Sequence, residues 1–339
     1  MDSCPTTIAD VTDALKALPG SNADAVNRVR ARDQVLTKPP GSLGRLEDIV
    51  EHLAAWQGAN GPTVDQVAVR VFAGNHGVAR RGVSAFPPEV TAQMVANFEA
   101  EGAAVNQISQ VAGASFDVIA LDLENPTSDF TSGPAMTEDE FMAAVNAGWD
   151  AVPENLDILA IGEMGIANTT SAAAVAMALF GGQAAEWVGP GTGVANEALT
   201  NKTKIIAEAV KLHTSETSDP IDLLRRLGGR ELAAMAGAIL RARMNHTVVL
   251  IDGYVAGAAA AALECAAAGA LDHCLAAHVS AEPGHHLLLK KLNKQPLLNL
   301  GMRLGEASGA ALAIPIVRAA VACHNGMATF DTAGVTNKD

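Results

Sequence analysis

Two carboxylates stand in stretches that offer little other polarity. Glu163 lies in "IGEMGIANTTSAAA" (161–174), between an apolar run and the start of a helical pattern. Glu306 lies in "MRLGEASGAALAIPIVRAAV" (302–321), among small and apolar residues at another helix start. Two effects oppose each other at Glu306: a helix N-terminus favours the ionised form, and apolar burial favours the neutral one. A carboxylate balanced in this way suits a general base; the plainer role is a glutamate of a helix's capping region. Around Glu163, Gly162 and Gly165 permit a tight turn, and Asn168, Thr169 or Thr170 is placed to cap the helix that follows. Free N–H groups and the dipole at such an end make an anion site. A carboxylate beside an anion cradle is repelled by it, so Glu163 is expected to face another, positively charged part of the ligand.

Two more glycine turns lead into helices. "WVGPGTGVANEALTNK" (187–202) contains Gly191 and ends in Lys202, with Lys204 just beyond, and "LGGRELAAMAGAIL" (227–240) opens on paired glycines. Lysine near a helix N-terminus opposes the dipole, which suggests a phosphate to counter; a solvated lysine is the alternative. None of these turns is a P-loop, because GxxxxGK[ST] is absent. His76, in "FAGNHGVARRGVSAFPPEVTAQMVANF" (72–98), could be a base, a ligand or a hydrogen-bonded histidine at a strand end, and the last is the expected role. His285 and His286 would point apart on a helix. Cys4, Cys265, Cys274 and Cys323 form no CxxC pair and no zinc spacing, so they read as reduced thiols and no metal is expected.

The elements that position these residues follow from the hydrophobic pattern. Apolar runs at 67–77, 116–122, 157–165, 247–253 and 273–282 each end in polar or glycine residues and precede helical patterns. Continuous apolar strands alternating with helices point to a parallel sheet buried on both faces, with ligands beyond the strand ends. The expected fold is α/β, a Rossmann-like doubly wound parallel sheet over 66–284, with a smaller helical lobe built from 1–65 and 285–339. Residues 124–137 read as a surface loop.

The 339 residues are 49% hydrophobic and carry a formal charge of −14, enough to bury a core and to repel phosphate backbones and anionic lipid. Nucleic acid and membrane are therefore excluded as partners. The beginning of the chain shows no secretory signal, and no apolar run reaches the ~20 residues of a membrane span. A cytoplasmic protein is expected.

In order along the chain, "KPPGSLGRLE" (38–47), "GNHGV" (74–78), "GVSAFPPEVTAQM" (82–94), "IGEMGIANTT" (161–170), "GGRELAAMAG" (228–237), "LIDGY" (250–254), "SAEPGH" (280–285) and "MRLGEASGAALA" (302–313) occur. This series closely resembles the nicotinate-nucleotide–dimethylbenzimidazole phosphoribosyltransferases of cobalamin lower-ligand synthesis. The resemblance implies transfer of phosphoribose from nicotinate mononucleotide to 5,6-dimethylbenzimidazole, giving α-ribazole 5′-phosphate and nicotinate, by a homodimer with no cofactor. It makes Glu306 the general base and Glu163 the second active-site carboxylate. It places the phosphate on Gly165, Ile166, Ala167, Asn168, Thr169 and Thr170, aided by Gly191, Lys202 and Ser280. The acceptor base would meet Phe86, Pro87, Gln93, Met94, Met164 and Leu304. Family members commonly carry Asp where this chain has Asn75. Adenine or a phenol as acceptor, or a nucleotide sensor without turnover, are the alternatives.

Overall fold

The computed structural model describes residues 4–58, 61–191, 193 and 196–337. Five runs rich in β-branched and aliphatic residues form β1 (Val67–Ala73), β2 (Ser115–Ala120), β3 (Ile158–Met164), β4 (Val248–Ile251) and β5 (Cys274–Ala276). Each lies within a stretch expected to be a strand, and β2 begins one residue earlier. The order is β2-β1-β3-β4-β5, and every pair is parallel.

Before β1 come α1 (Ile8–Lys16), α2 (Ala23–Asp33) and α3 (Arg45–Gln57). A short 3₁₀ turn at Gly77–Arg81, α4 (Glu89–Glu99) and α5 (Ala104–Ala112) lead to β2, and α6 (Glu138–Asp150) leads from it to β3. Between β3 and β4 run α7 (Asn168–Phe180), α8 (Ala184–Trp187), α9 (Asn196–Thr214), α10 (Pro220–Leu227) and α11 (Arg230–Met244). Then α12 (Tyr254–Ala266) joins β4 to β5, followed by α13 (Pro283–Lys291), α14 (Ser308–Gly326) and α15 (Phe330–Ala333).

Alternate strand residues feed two cores, as period-2 geometry requires. Ala68, Phe72, Leu159, Ile161 and Val249 pack into the layer of α6, α7 and α9–α12. Val69, Val71, Ile158, Ala160, Val248 and Leu250 pack the opposite way, with Ile49 and Leu53 of α3 and Ile314 and Val317 of α14. The two ends of the chain meet here: α14 lies against α3 and α5, and Leu36 bridges Thr329. These terminal helices share their core with the sheet, while α1 lies on the other layer against α10 and α12.

The stretch 124–137 is irregular, as expected, but it is not wholly at the surface. Phe130, Ala135 and Met136 are buried in the main core, and the Ala135 N–H donates to the Arg226 carbonyl at 2.9 Å. Three apolar side chains outweigh the loop-like composition around them. Among the described residues no helix is long and apolar enough to cross a membrane.

This strand order fixes the functional end. From β1 the chain proceeds to β2 on one side, whereas from β3 it proceeds to β4 and β5 on the other. The two connections part between β1 and β3, and a crevice opens beyond their C-terminal ends. Glu163 is the penultimate residue of β3.

Candidate active site

The start of α14 is docked directly on the end of β3. The Glu306 N–H donates to the Glu163 carbonyl at 3.1 Å, and a Cβ on Gly162 would collide with the Ala307 backbone. Gly162 is thus required by close approach. Gly305, Glu306 and Ala307 have φ of +81°, +61° and +59°, a left-handed run that costs energy at the two non-glycine positions. Such strain is retained where the surroundings enforce it, and it collects at functional sites. It places Glu306, 6% exposed, immediately before α14 and against Glu163.

Burial prevails over the helix dipole at Glu306: with Asp252 adding repulsion, its pKa rises to about 7. Burial also holds Glu163 well above the usual carboxylate range, and Glu231, Asp252 and Glu306 push it in the same direction. The hydrogen bond that Glu163 Oε2 accepts from Asn168 Nδ2 works against them. Several carboxylates therefore converge on one place, where a positive charge or protons can offset them.

A cleft of about 280 Å³ opens beside Glu163. Of the residues expected from the sequence, Glu163, Met164, Gly165, Ile166, Asn168, Thr169, Gly191, Ser280, Phe86 and Leu304 line it. Phe86 and Leu304 are 51% and 54% exposed at this wall, with apolar area free to meet a planar ring. Ala167, Thr170, Lys202, Pro87, Gln93, Met94 and Glu306 do not line it. Pro87 and Gln93 are exposed, and Met94 packs against the core beneath α14.

The cap of the helix beside Glu163 differs from the sequence expectation. The cap of α7 is Ala167 at φ +76°, with no side-chain cap, and Asn168 spends its amide on Glu163. Three N–H groups of the turn are already engaged: Ile166 donates to Thr91 Oγ1, Asn168 to the Gly165 carbonyl and Thr170 to the Ala167 carbonyl. The N–H groups of Gly165, Ala167 and Thr169 are not among those engaged, and a side-chain site adjoins them. Lys202 is buried behind the wall, and its Nζ donates to Thr169 Oγ1 at 2.8 Å and to the Gly189 carbonyl at 3.1 Å. Burial lowers its pKa to about 8, with Glu282 opposing the fall. Arg303 donates to the Gly191 carbonyl at 3.2 Å from the same wall. Lys204 is instead exposed, 3.8 Å from Glu208. Thr192, Val194 and Ala195 of this glycine turn lie outside the described residues.

Several site residues went unread in the sequence. Tyr254, His278, Glu282 and Arg303 all line the cleft. Behind it, His76 Nε2 lies 2.6 Å from Glu231 Oε1, and His76 Nδ1 lies 2.9 Å from Ser171 Oγ. His76 is thus the hydrogen-bonded strand-end histidine expected. The paired glycines at 228–229 serve this network: they join α10 to α11, and a Cβ on Gly229 would collide with the His76 ring. Asn75 donates from Nδ2 to the Leu123 carbonyl at 2.9 Å, a loop-anchoring bond. All four cysteines are free thiols, and no group of three or more His, Cys, Asp or Glu among the described residues is arranged to hold a metal ion.

Known proteins share this chain's pattern over nearly its whole length. The profile of a family described as Phosphoribosyltransferase matches residues 18–335. The chain is 57% identical over 330 residues to the nicotinate-nucleotide–dimethylbenzimidazole phosphoribosyltransferase of Cereibacter sphaeroides (strain ATCC 17025), covering 97% of this chain and 98% of that one. It is 57% identical over 332 residues to the protein of the same name from Ruegeria pomeroyi, covering 98% of each. The crystal structure of CobT from Thermus thermophilus superposes with a TM-score of 0.88 at 39% identity, covering 93% of this chain and 100% of that one.

Proposed function

The chain belongs to the nicotinate-nucleotide–dimethylbenzimidazole phosphoribosyltransferase family, and we propose that it catalyses that family's transfer. Phosphoribose passes from nicotinate mononucleotide to 5,6-dimethylbenzimidazole, giving α-ribazole 5′-phosphate and nicotinate for cobalamin. The observation that carries this reading is the docking of the Gly305–Glu306–Ala307 turn on β3, which holds Glu306 at the strand end beside Glu163, the carboxylate that lines the cleft.

One imidazole nitrogen of the acceptor attacks the ribose C1′. The C1′–N bond of the nucleotide breaks, and its electron pair returns to the pyridinium nitrogen, which leaves as neutral pyridine. The proton on the other imidazole nitrogen passes to Glu306, whose pKa of about 7 matches the task. Glu163 faces the sugar–pyridinium end. Burial and the neighbouring acids oppose its ionised form, and the arriving cation and the oxocarbenium-like charge at C1′ favour it. The phosphate is assigned to Thr169 and Lys202, with Gly191 and Ser280 near it. The acceptor ring is assigned to Phe86, Met164 and Leu304. On this reading Glu163 and the anion site serve opposite ends of one nucleotide, which accounts for their juxtaposition.

The homodimer and the cytoplasmic compartment belong to the same proposal and rest on family likeness. The test is incubation of the pure protein with nicotinate mononucleotide and each of dimethylbenzimidazole, adenine and a phenol, followed by chromatography. Expected is ribazole phosphate with dimethylbenzimidazole as the preferred acceptor. Nucleotide binding without product from any acceptor would overturn it. Sedimentation of the same sample reads the dimer.

A further inference from the structure

One buried pair touches no reacting atom in the reaction above. Asp252 follows β4, and its Oδ1 accepts a hydrogen bond from the Ala310 N–H at 2.8 Å, in the first turns of α14. The same oxygen lies 3.4 Å from His278 Nε2, and both side chains are 2% exposed. The His278 ring nitrogens lack hydrogen-bond partners among the described residues. The ring itself forms part of the cleft wall. Its place is tight, since a Cβ on Gly309 of α14 would collide with it. Asp252 is therefore held between the helix that follows Glu306 and an imidazole at the cleft.

Resting on the phosphoribosyl-transfer reading, we infer that Asp252 and His278 are a positioning pair that fixes the first turns of α14 and sets the pH at which Glu306 can accept a proton. Among the described residues the acids acting on or beside Glu306 are Asp252, with the His278 ring behind it, from the β4–β5 side and Glu163 from β3. Arg303, in the same loop as Glu306, directs its guanidinium to the Gly191 carbonyl. The Asp252 anion opposes ionisation of Glu306. A ring N–H beside that anion draws part of its charge away and eases the opposition. The two members act in opposite senses, and neither has to touch a reacting atom.

Opposite signs make the pair testable. Asp252→Asn keeps an acceptor for the Ala310 N–H and removes the charge, so the acid limb of kcat/KM moves to lower pH by about one unit. His278→Phe keeps a planar ring in the notch and removes the ring N–H, so the limb moves to higher pH by roughly half a unit. Titration of the acceptor base is common to all the proteins and cancels in the comparison. Difference infrared spectroscopy of the Glu306 carboxyl, wild type against Glu306→Gln, reads the same midpoint without turnover. Failure of the reaction itself is therefore distinguishable from failure of the pair. Should Asp252→Asn not fold, the upward shift in His278→Phe carries the test alone. Loss of rate at every pH in both variants, with the limb and the infrared midpoint unmoved, would reduce the pair to a structural role and overturn the inference.

Discussion

Lys38 and the end of β3 are two buried groups of charge solved in opposite ways. In the turn between α2 and α3, Lys38 Nζ lies 2.8 Å from both Asp33 Oδ2 and Glu47 Oε1. Burial alone would lower the lysine's pKa, but the hydrogen bonds and charges of its two partners outweigh this and raise it. Burial would likewise raise Glu47, yet the Lys38 and Leu43 N–H donors pull it below the usual range. Lys38 and Glu47 are each stabilised in the charged form. At the end of β3 the shifts run the other way, because Glu163 and Glu306 are pushed up by burial and by other acids. The first group spends its electrostatics on folding. The second holds an unmet demand for positive charge, which the proposed pyridinium nucleotide would supply.

The sharpest way to break this contrast is to neutralise the base. Glu306→Gln is expected to lower kcat by about 10²–10⁴-fold, the range for a lost general base, with KM for the nucleotide changed little. Steady-state kinetics at pH 7.5 check it.

Lys38→Met should do the reverse. It leaves two carboxylates facing each other without their cation, a change expected to cost about 3–5 kcal/mol of stability. Turnover per folded molecule should stay within about twofold. Denaturant titration alongside the assay reads both, and a large loss of kcat in a folded Lys38→Met protein would erase the distinction between the regions.

Neutralising Glu306 should also stabilise the fold, and only above a certain pH. Its pKa is raised from 4.5 unfolded to about 7 folded, so the fold favours the protonated form. The penalty is absent below the unfolded value, grows as pH rises, and is complete above about 7. Glu306→Gln should then exceed the wild type by on the order of 3 kcal/mol at pH 8 and by little at pH 4. Unfolding at the two pH values measures it.

The smallest effect concerns Lys202. Because burial lowers its pKa to about 8, KM for nicotinate mononucleotide should rise as pH passes that value. The increase should be about tenfold per unit where one charge governs binding. Lys202→Met should raise KM at neutral pH and flatten the alkaline limb.

The sequence disclosed the strands because a parallel sheet buried on both faces leaves unbroken apolar runs such as "VAVRVFA" and "ILAIG". It disclosed Glu163 and Glu306 because each is a lone acid among small residues at an element boundary. It did not disclose which N–H groups of the 165–170 turn are free, since that depends on where Thr91 of α4 comes to rest. Asp252 capping α14 and Glu231 pairing with His76 were hidden for the same reason: the partners are 58 and 155 residues apart. In "KPPGSLGRLE" the reverse holds. A motif as distinctive as those of the site encodes the Lys38–Glu47 clamp, so a strong signature there marks packing and not chemistry.

The most direct measurement pairs rate with stability in one variant. Wild type and Glu306→Gln, from the same preparation and at pH 8, are assayed for ribazole phosphate formation and unfolded in denaturant. Expected is a variant that is more stable and at least a hundredfold slower, the signature of a charge kept for chemistry at a cost to the fold. A variant that keeps the wild-type rate, or loses stability together with rate, would contradict it.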